Sequence, residues 1–339
     1  MQLSMFDGKQ KFKIDKPIRF IELFAGIGAT TKALERLDVK CEHYRVVEID
    51  KYAVKSYNAI HGTDFTTSDI TKIRGEDLGV VDTDKYCYIM SYSFPCQDLS
   101  LAGKGAGMAK GSGTRSGLLW EVEILLKEMS GYIPHRHKSK GKIFSMTPYV
   151  DWFNPPDKTK LPQVLLMENV PEVIGKKNIK HFAEWVKFLD ELGYKSKWQL
   201  LNAKDYGIPQ NRNRCFMVSI LGDYYYEFPK PIPLKLRLKD MLESKVDEKY
   251  YLSNKTIEMF VAHTEKQQEK GNGFKFEPTT GGGTLIASLL ETEKDRATII
   301  LSHQAKKIEK TTELATTLMA RDYKGFGNQA MNGVIEWKR

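Results

Sequence analysis

Along residues 18–225, short apolar runs alternate with longer segments in which apolar residues recur every three or four positions. This alternation predicts strands that alternate with helices. Short apolar runs bounded by turn residues are typical of buried strands, and longer runs with apolar residues three and four apart are typical of helices. The predicted strands are Ile18–Phe24, Tyr44–Ile49, Tyr86–Ser93, Gln163–Met167 and Cys215–Leu221, and the predicted helices are Thr30–Leu37, Lys51–Ile60, Gly117–Met129 and Lys180–Leu192. We therefore expect an α/β fold with a mostly parallel sheet that helices cover on both faces.

Two segments interrupt this alternation. Residues 98–117 contain too many glycines for a helix or a strand interior, so they predict a mobile loop. Residues 131–162 form a basic insert, for which we expect a solvated surface excursion.

The pattern changes again after residue 228, where helical periodicity gives way to short segments rich in Thr, Gly and β-branched residues. This predicts a domain of residues 1–228 and a smaller, β-rich domain of residues 229–339. Residues 284–290 and 312–318 resemble each other, which is either chance or a duplicated hairpin unit.

Composition adds a candidate partner and one candidate thiol. The net charge of +9 suits a polyanionic partner, although many basic proteins bind no nucleic acid. The four cysteines lie far apart without CxxC spacing, which argues against a zinc site or a disulfide framework and leaves room for one reactive thiol. The sequence has no apolar run long enough to span a bilayer and no apolar signal stretch near its start, so we expect a cytoplasmic protein.

The first two predicted strands end in residues suited to a small polar ligand. A glycine turn, residues 22–29, follows the first strand, and such turns let the backbone approach a ligand closely. Glu48 ends the second strand, where a carboxylate accepts hydrogen bonds from ribose hydroxyls; a surface acid is the alternative. The sequence has no GxxxxGK[ST] phosphate loop, so a nucleoside triphosphate is not the expected ligand.

The later strands end in residues suited to covalent and acid–base chemistry. Cys96 follows a buried strand, at the end where parallel sheets bind ligands, which favours a nucleophile over a structural thiol. Glu168 at the next strand end is either a proton donor to a base or an exposed acid. Arg212 and Arg214 fall on one side of an extended segment, where they could orient a carboxylate or grip a phosphate.

Together these segments resemble the DNA cytosine-5 methyltransferase family, in the family's order and over roughly residues 18–221. The matching segments are the glycine turn, Val47-Glu48-Ile49-Asp50, Ser68-Asp69-Ile70, Phe94-Pro95-Cys96-Gln97, Glu168-Asn169-Val170, and Gly207-Ile208-Pro209-Gln210 with its two arginines. The resemblance implies a Rossmann-like domain that uses S-adenosylmethionine (SAM) and releases S-adenosylhomocysteine, with no metal. The smaller domain would then be a target-recognition domain for double-stranded DNA.

The resemblance also implies a role for each matching residue. Those implied to contact SAM are Phe24, Gly26, Gly28, Glu48, Ile49, Asp69, Ile70 and Pro95. Cys96 would attack C6 of a cytosine flipped out of the duplex, Glu168 would hold N3 and the exocyclic amine, and Arg212 and Arg214 would orient Glu168 and the base or its phosphate. The glycine loop would close over the flipped nucleotide.

The last residues depart from the family pattern. Gly327-Asn328-Gln329 stands where the family has Gly-Asn-Ser, and no amphipathic helix is predicted after it. Either the family's closing helix is absent, or another chain supplies it to what is otherwise expected to be a monomer.

Three other functions differ in sequence features that can be checked. Methylation of RNA cytosine is typical of a branch with a Cys-Phe-Thr segment, which this sequence lacks. A catalytically silent DNA-binding homologue would have lost the Pro-Cys or Glu-Asn-Val residues, which are present. A small-molecule SAM enzyme would explain the glycine turn but not Cys96, Glu168 and Arg212 together. The restriction–modification setting of many family members is implied but not decided by the sequence.

Overall fold

A computed structural model describes residues 10–99, 107–131, 136–139, 142–145, 155–237, 240, 254–269, 296–300 and 332–336. The strands are β1 Gln10–Lys11, β2 Ile18–Leu23, β3 Cys41–Val47, β4 Cys87–Tyr92, β5 Arg136–Ser139, β6 Lys142–Ser145, β7 Val164–Asn169, β8 Tyr194–Asn202, β9 Asn213–Leu221, β10 Tyr224–Tyr225, β11 Arg296–Ile300 and β12 Asn332–Glu336. The α-helices are α1 Ala29–Arg36, α2 Lys51–His61, α3 Leu119–Met129, α4 Ile179–Glu191 and α5 Asn254–Glu269.

The chain divides into two compact units. The first comprises residues 1–200 and 214–228, and the second comprises residues 201–213 and 229–339. The assignment of residues 1–228 to catalysis and of residues 229–339 to target recognition stays a prediction.

A six-stranded sheet with the order β3-β2-β4-β7-β9-β8 organises the first unit. Strand β2 pairs in parallel with β3 and β4, and β4 pairs in parallel with β7. Strand β9 runs antiparallel to β7. The expected α/β class with a mostly parallel sheet is confirmed.

Helices cover both faces of this sheet, which explains why its central strands are mostly apolar. All six residues of β4 are buried, as expected for a strand with no solvent-facing side. Helices α3 and α4 pack on one face in the main core cluster, where Trp185 donates to the Tyr92 hydroxyl at 3.1 Å. Leu34 of α1 packs on the other face with Ile18 and Phe20 of β2.

Strand register brings the carboxyl ends of four strands to one edge of the sheet. Leu23 lies opposite Val47 on one side and Tyr92 on the other, and Tyr92 lies opposite Met167. Because β9 runs the other way, its first residues reach the same edge, where Cys215 pairs with Asn169. We call this edge the carboxyl edge.

The basic insert contains a β-hairpin, which the sequence did not predict, and its description as a solvated surface excursion stays a prediction. Strands β5 and β6 pair antiparallel. Helix α3 runs back from the carboxyl edge, and the N–H of Asp157 donates to the Ser130 carbonyl at 2.9 Å. The insert therefore leaves and rejoins the fold at the edge opposite the carboxyl edge.

Sequence reasoning missed two further elements. Strand β8 has nine residues and lies at the end of the strand order. Its burial pattern is irregular, so the sequence shows no clear alternation of apolar and polar residues there. Helix α5, of 16 residues, lies where short β segments were expected, so that expectation is wrong there.

Strands β11 and β12 pair antiparallel. The two similar segments 284–290 and 312–318 lie outside the described residues, and so do residues 100–106 of the predicted glycine loop. No α-helix in the described part of the chain is long and apolar enough to cross a membrane.

Candidate active site

The carboxyl edge collects most of the residues that the sequence singles out. Four adjacent strands end there in the order β3-β2-β4-β7, and β9 begins there. The segments at this edge are Phe24–Gly28 after β2, Glu48–Asp50 after β3, Phe94–Cys96 after β4, Glu168–Val170 at β7 and Arg214 at β9. This is the edge at which parallel α/β sheets bind ligands.

The turn after β2 depends on two glycines in left-handed backbone conformations. Gly26 has φ +57° and Gly28, the N-cap of α1, has φ +83°. A Cβ added to Gly26 would meet nothing within 4 Å, whereas one added to Gly28 would lie 2.3 Å from His61 Nε2. The turn is therefore open at Gly26 and closely backed at Gly28.

Both carboxylate oxygens of Glu48 accept backbone N–H groups, and one of these groups belongs to the glycine turn. Oε2 accepts the N–H of Gly26 at 2.9 Å, and Oε1 accepts the N–H of Asp50 at 2.8 Å. Each oxygen keeps acceptor capacity beyond one hydrogen bond. A pre-oriented carboxylate at an open glycine turn can accept hydroxyl groups of a ligand.

The predicted segment Ser68-Asp69-Ile70 contacts Glu48. The N–H of Ser68 donates to the Glu48 carbonyl at 2.8 Å. Burial favours the neutral acid at Asp69, but hydrogen bonds from the Thr71 hydroxyl and N–H outweigh it and hold the pKa of Asp69 below its ordinary value. Asp69 therefore offers an ionised acceptor. Ile49 is 67% exposed, whereas Ile70 is buried in the core, so Ile49 is the aliphatic side chain available to a flat ring.

Hydrogen bonds to three successive carbonyls fix the Cys96 turn. Asn169 Nδ2 donates to the Phe94 carbonyl at 2.9 Å, and Ser116 Oγ donates to the Pro95 carbonyl at 2.7 Å. The N–H of Leu99 donates to the Cys96 carbonyl at 3.0 Å. Sequence reasoning missed Ser116, which no local pattern links to a turn twenty residues earlier along the chain.

The two ends of the predicted glycine loop are tied together just beyond Cys96. The Asp98 carboxylate accepts the N–H of Arg115 at 2.8 Å, and the Asp98 carbonyl accepts the N–H of Gly107 at 3.0 Å. Arg115 also donates to Gln97 Oε1 at 2.5 Å. A movement of the loop would therefore act directly on the residues that follow the thiol.

Burial separates Cys96 from two of the other three thiols. Cys96 is partly exposed, whereas Cys87 and Cys215 are buried. Burial raises the pKa of Cys87 to about 11 and that of Cys215 to about 12. Cys41 begins β3 at the opposite edge, and burial raises its pKa as well. Cys96 is thus the thiol placed for nucleophilic chemistry at the carboxyl edge.

Glu168 forms an ion pair with Arg214 across two strands. Arg214 Nε lies 2.9 Å from Glu168 Oε1, and the two side chains are 17% and 28% exposed. Glu168 lies opposite Phe216, so Arg214 occupies the diagonal position on the same face. A partly desolvated, charge-assisted contact of this kind fixes the direction of the carboxylate.

Arg212 belongs to the second unit. Its N–H donates to Asn202 Oδ1 at 3.1 Å, and its carbonyl accepts the N–H of Ala203 at 3.1 Å. These contacts hold the backbone of the segment Gln210-Asn211-Arg212. Among the residues that the structure describes, no three His, Cys, Asp or Glu side chains are grouped to hold a metal ion.

Comparison with known proteins gives one family and several relatives. The model of the family described as "C-5 cytosine-specific DNA methylase" matches residues 18–134 and 157–332, a match that leaves out the β5–β6 hairpin. The chain is 30% identical to the orphan methyltransferase M.SssI of Spiroplasma monobiae, over 80% of each chain. It is 32% identical to the Type II methyltransferase M.NlaX of Neisseria lactamica, over 76% of this chain and 70% of that one.

A solved structure has the same fold. The Dnmt2 methyltransferase of S. pombe superposes with a TM-score of 0.50 at 21% identity, over 73% of this chain and 67% of that chain. At this identity the likeness supports the fold alone, and it agrees with the mostly parallel sheet described above.

Proposed function

The chain belongs to the C-5 cytosine-specific DNA methylases, and from that premise we propose that it methylates a cytosine flipped out of duplex DNA through a covalent bond to Cys96. Its general reaction is that of the family: it is a DNA cytosine-5 methyltransferase. One observation carries the proposal. Strand register brings the glycine turn, the Cys96 turn and the Glu168–Arg214 pair to one edge of one sheet.

The residues at the first two strand ends fit S-adenosylmethionine, the methyl donor that the family implies. The Glu48 carboxylate is pre-oriented to accept ribose hydroxyls, and Asp69 is an ionised acceptor for an amino group. Ile49 and Phe24 offer apolar contacts to an adenine ring, and the open space at Gly26 admits a ligand to the turn. When bound there, this cofactor supplies an activated methyl group.

Cys96 starts the chemistry on cytosine. As a thiolate, its Sγ forms a bond to C6, and the electron pair of the C5–C6 double bond moves toward C5 and N3. Glu168 donates a proton to N3, where negative charge develops, and accepts a hydrogen bond from the exocyclic amine. Arg214 keeps the Glu168 carboxyl group in place. The nucleophilic C5 then takes the methyl group.

Two further steps restore the aromatic ring. A base removes the proton from C5, its electron pair re-forms the C5–C6 double bond, and the bond from C6 to Cys96 breaks. The thiol returns to its starting state, so each turnover consumes one methyl group and releases one proton.

Duplex DNA is the proposed substrate. A base inside a duplex is out of reach of Cys96, so flipping must precede attack. We assign sequence recognition to residues 229–339, Arg212 to the base or its phosphate, and closure over the base to residues 98–117. The proposed enzyme acts as a monomer. Because one of its relatives is named a Type II methyltransferase, we also propose a restriction–modification setting.

The test is transfer from SAM to unmethylated duplex DNA, mapped by bisulfite sequencing, with RNA of the same sequence in parallel. Methylation at one short DNA motif by the wild type, and none by a folded Cys96→Ser variant that still binds SAM, is the expected result. Methylation of RNA alone would overturn the substrate class. Equal methylation by both proteins would overturn the role of Cys96.

A further inference from the structure

Residues 107–117, at the second end of the predicted glycine loop, are fastened to helix α3; we call them the anchor segment. Met108 is fully buried, and its carbonyl accepts a hydrogen bond from Trp120 Nε1 at 2.8 Å. Two residues later, Lys110 Nζ donates to Glu123 Oε1 at 2.7 Å and lies 4.8 Å from the centre of the Trp120 ring. The anchor segment is therefore attached to α3 by apolar, hydrogen-bonded and charged contacts.

Glu123 is a carboxylate on the buried face of α3, and its side chain is only 4% exposed. A carboxylate in such a place is costly unless cations pair with it. Lys127, one turn later on the same helix, donates to Oε1 at 2.6 Å, and Lys110 Nζ lies 2.6 Å from Oε2. Helix α3 thus supplies one cation itself, whereas the second cation ties another segment of the chain to the helix.

The anchor segment holds residues on both sides of the proposed nucleophile. The Ser116 hydroxyl donates to the Pro95 carbonyl at 2.7 Å, and the Ser116 N–H donates to the Asp98 carboxylate at 3.3 Å. Within the segment, Thr114 Oγ1 donates to the Gly107 carbonyl at 3.0 Å, which joins its two halves. A shift of the segment along α3 would therefore reach the turn that carries the thiol.

We propose that Lys110 and Glu123 are positioning residues, whose ion pair fastens the anchor segment to α3 and thereby holds the Cys96 turn in its reactive geometry. The inference rests on the proposed role of Cys96. A misplacement of reacting groups by about 1 Å can lower a rate by roughly 100-fold. Loss of the ion pair should therefore act on the rate of the reaction after binding, and not on the affinity for SAM.

The first test is the variant Lys110→Met, which keeps an unbranched side chain beside Trp120 and removes the cation. At saturating SAM and duplex DNA, we expect its single-turnover methylation rate to fall at least about tenfold, with the Kd for SAM unchanged. Lys110→Arg keeps the cation and should retain most of the wild-type rate. A variant Lys110→Met with weaker DNA binding but a wild-type rate at saturation would overturn the proposal, because Lys110 would then be a DNA contact.

The matched control is Lys127→Met, which removes the other cation from the same carboxylate. Lys127 belongs to α3 itself, and it is 20% exposed whereas Lys110 is 42% exposed. The control should therefore lose at least as much in Tm as Lys110→Met, and yet keep the wild-type single-turnover rate. Equal falls in rate for the two variants would overturn the proposal, because the rate would then follow stability.

A double variant tests whether Lys110 acts through Glu123. Glu123→Gln should lower the single-turnover rate about as much as Lys110→Met does. The combination of both substitutions should lower it no further, since the two residues make one contact. Falls that multiply in the double variant would show independent effects and would overturn the pairing.

Hydrogen exchange followed by mass spectrometry reads the turn without DNA or SAM. The N–H of Leu99 donates to the Cys96 carbonyl, and exchange of the peptide that contains Leu99 should be faster in Lys110→Met and unchanged in Lys127→Met. Wild-type exchange and a wild-type rate in Lys110→Met would overturn this inference and leave the proposed function intact. No methylation of duplex DNA by the folded wild type would overturn the proposed function, and the exchange rates would still decide whether Lys110 holds the turn.

Discussion

The two glycines of the turn provide a matched pair of substitutions. Gly26→Ala and Gly28→Ala both place a side chain in left-handed backbone, which costs roughly 1–2 kcal/mol for a residue with a Cβ. They differ in space, because the new methyl group at Gly26 meets nothing within 4 Å and the one at Gly28 lies 2.3 Å from the buried His61 ring. Such overpacking adds about 1–3 kcal/mol.

The expected result is therefore a separation of stability from binding. We expect Gly28→Ala to lose about 2–5 kcal/mol of unfolding free energy and Gly26→Ala about 1–2 kcal/mol. For a unit of this size the difference between the two variants corresponds to roughly 2–12 °C in Tm. Gly26→Ala should instead show the larger loss of SAM affinity among the molecules that remain folded, because its methyl group enters the proposed cofactor space.

Thermal unfolding without ligand and calorimetric titration with SAM, on both variants, measure the two effects. Equal Tm values for the variants would refute the reasoning, because they would mean that the ring does not back the turn at Gly28. Unchanged SAM affinity in Gly26→Ala would show that the open space at the turn is not the cofactor site.

Three further predictions concern the carboxyl edge. Glu168→Gln should lower the single-turnover methylation rate at least about 100-fold, the scale of a lost acid–base group, while the control Glu172→Gln keeps the wild-type rate. Asn169→Ala leaves the Phe94 carbonyl without its donor, so we expect about 1–3 kcal/mol of lost stability in urea unfolding and a lower kcat. Brief alkylation at pH 8, followed by peptide mass spectrometry, should label Cys96 and spare Cys87 and Cys215, whose thiols are buried with pKa values of about 11 and about 12; equal labelling of all three would contradict that order.

The order of the first strands and helices could be predicted from the sequence, and so could the position of most candidate site residues at one edge of the sheet. Strand β4 could be predicted because it is a short continuous apolar run. Helix α4 could be predicted because it has an apolar stripe. The positions of Glu48 and Cys96 at the carboxyl edge could be predicted because each residue follows an apolar strand. Residues in such positions come together in any parallel sheet of this kind.

Other features could not be predicted because they depend on tertiary contacts. Ser116 fixes the Cys96 turn through one hydrogen bond from a distant loop, and His61 backs the glycine turn from the end of another helix. Helix α5 carries many helix-forming Glu, Lys and Gln residues, a signal of propensity, but its apolar stripe is weak, with Met259 58% exposed. Ser116 and His61 could not be predicted because their partners are far away in the sequence. Helix α5 could not be predicted because its apolar residues do not form a clear stripe.

The central claim is that Cys96 bonds covalently to the target cytosine, and trapping that bond tests it most directly. Duplex DNA whose target base carries fluorine at C5 has no C5 proton to lose, so the enzyme cannot release it after methyl transfer. With SAM present, mass spectrometry of the digested complex should place the nucleotide on the peptide that contains Cys96, and Cys96→Ser should form no adduct. An adduct on another residue, or methylation of ordinary DNA by a wild type that forms no adduct, would contradict the mechanism.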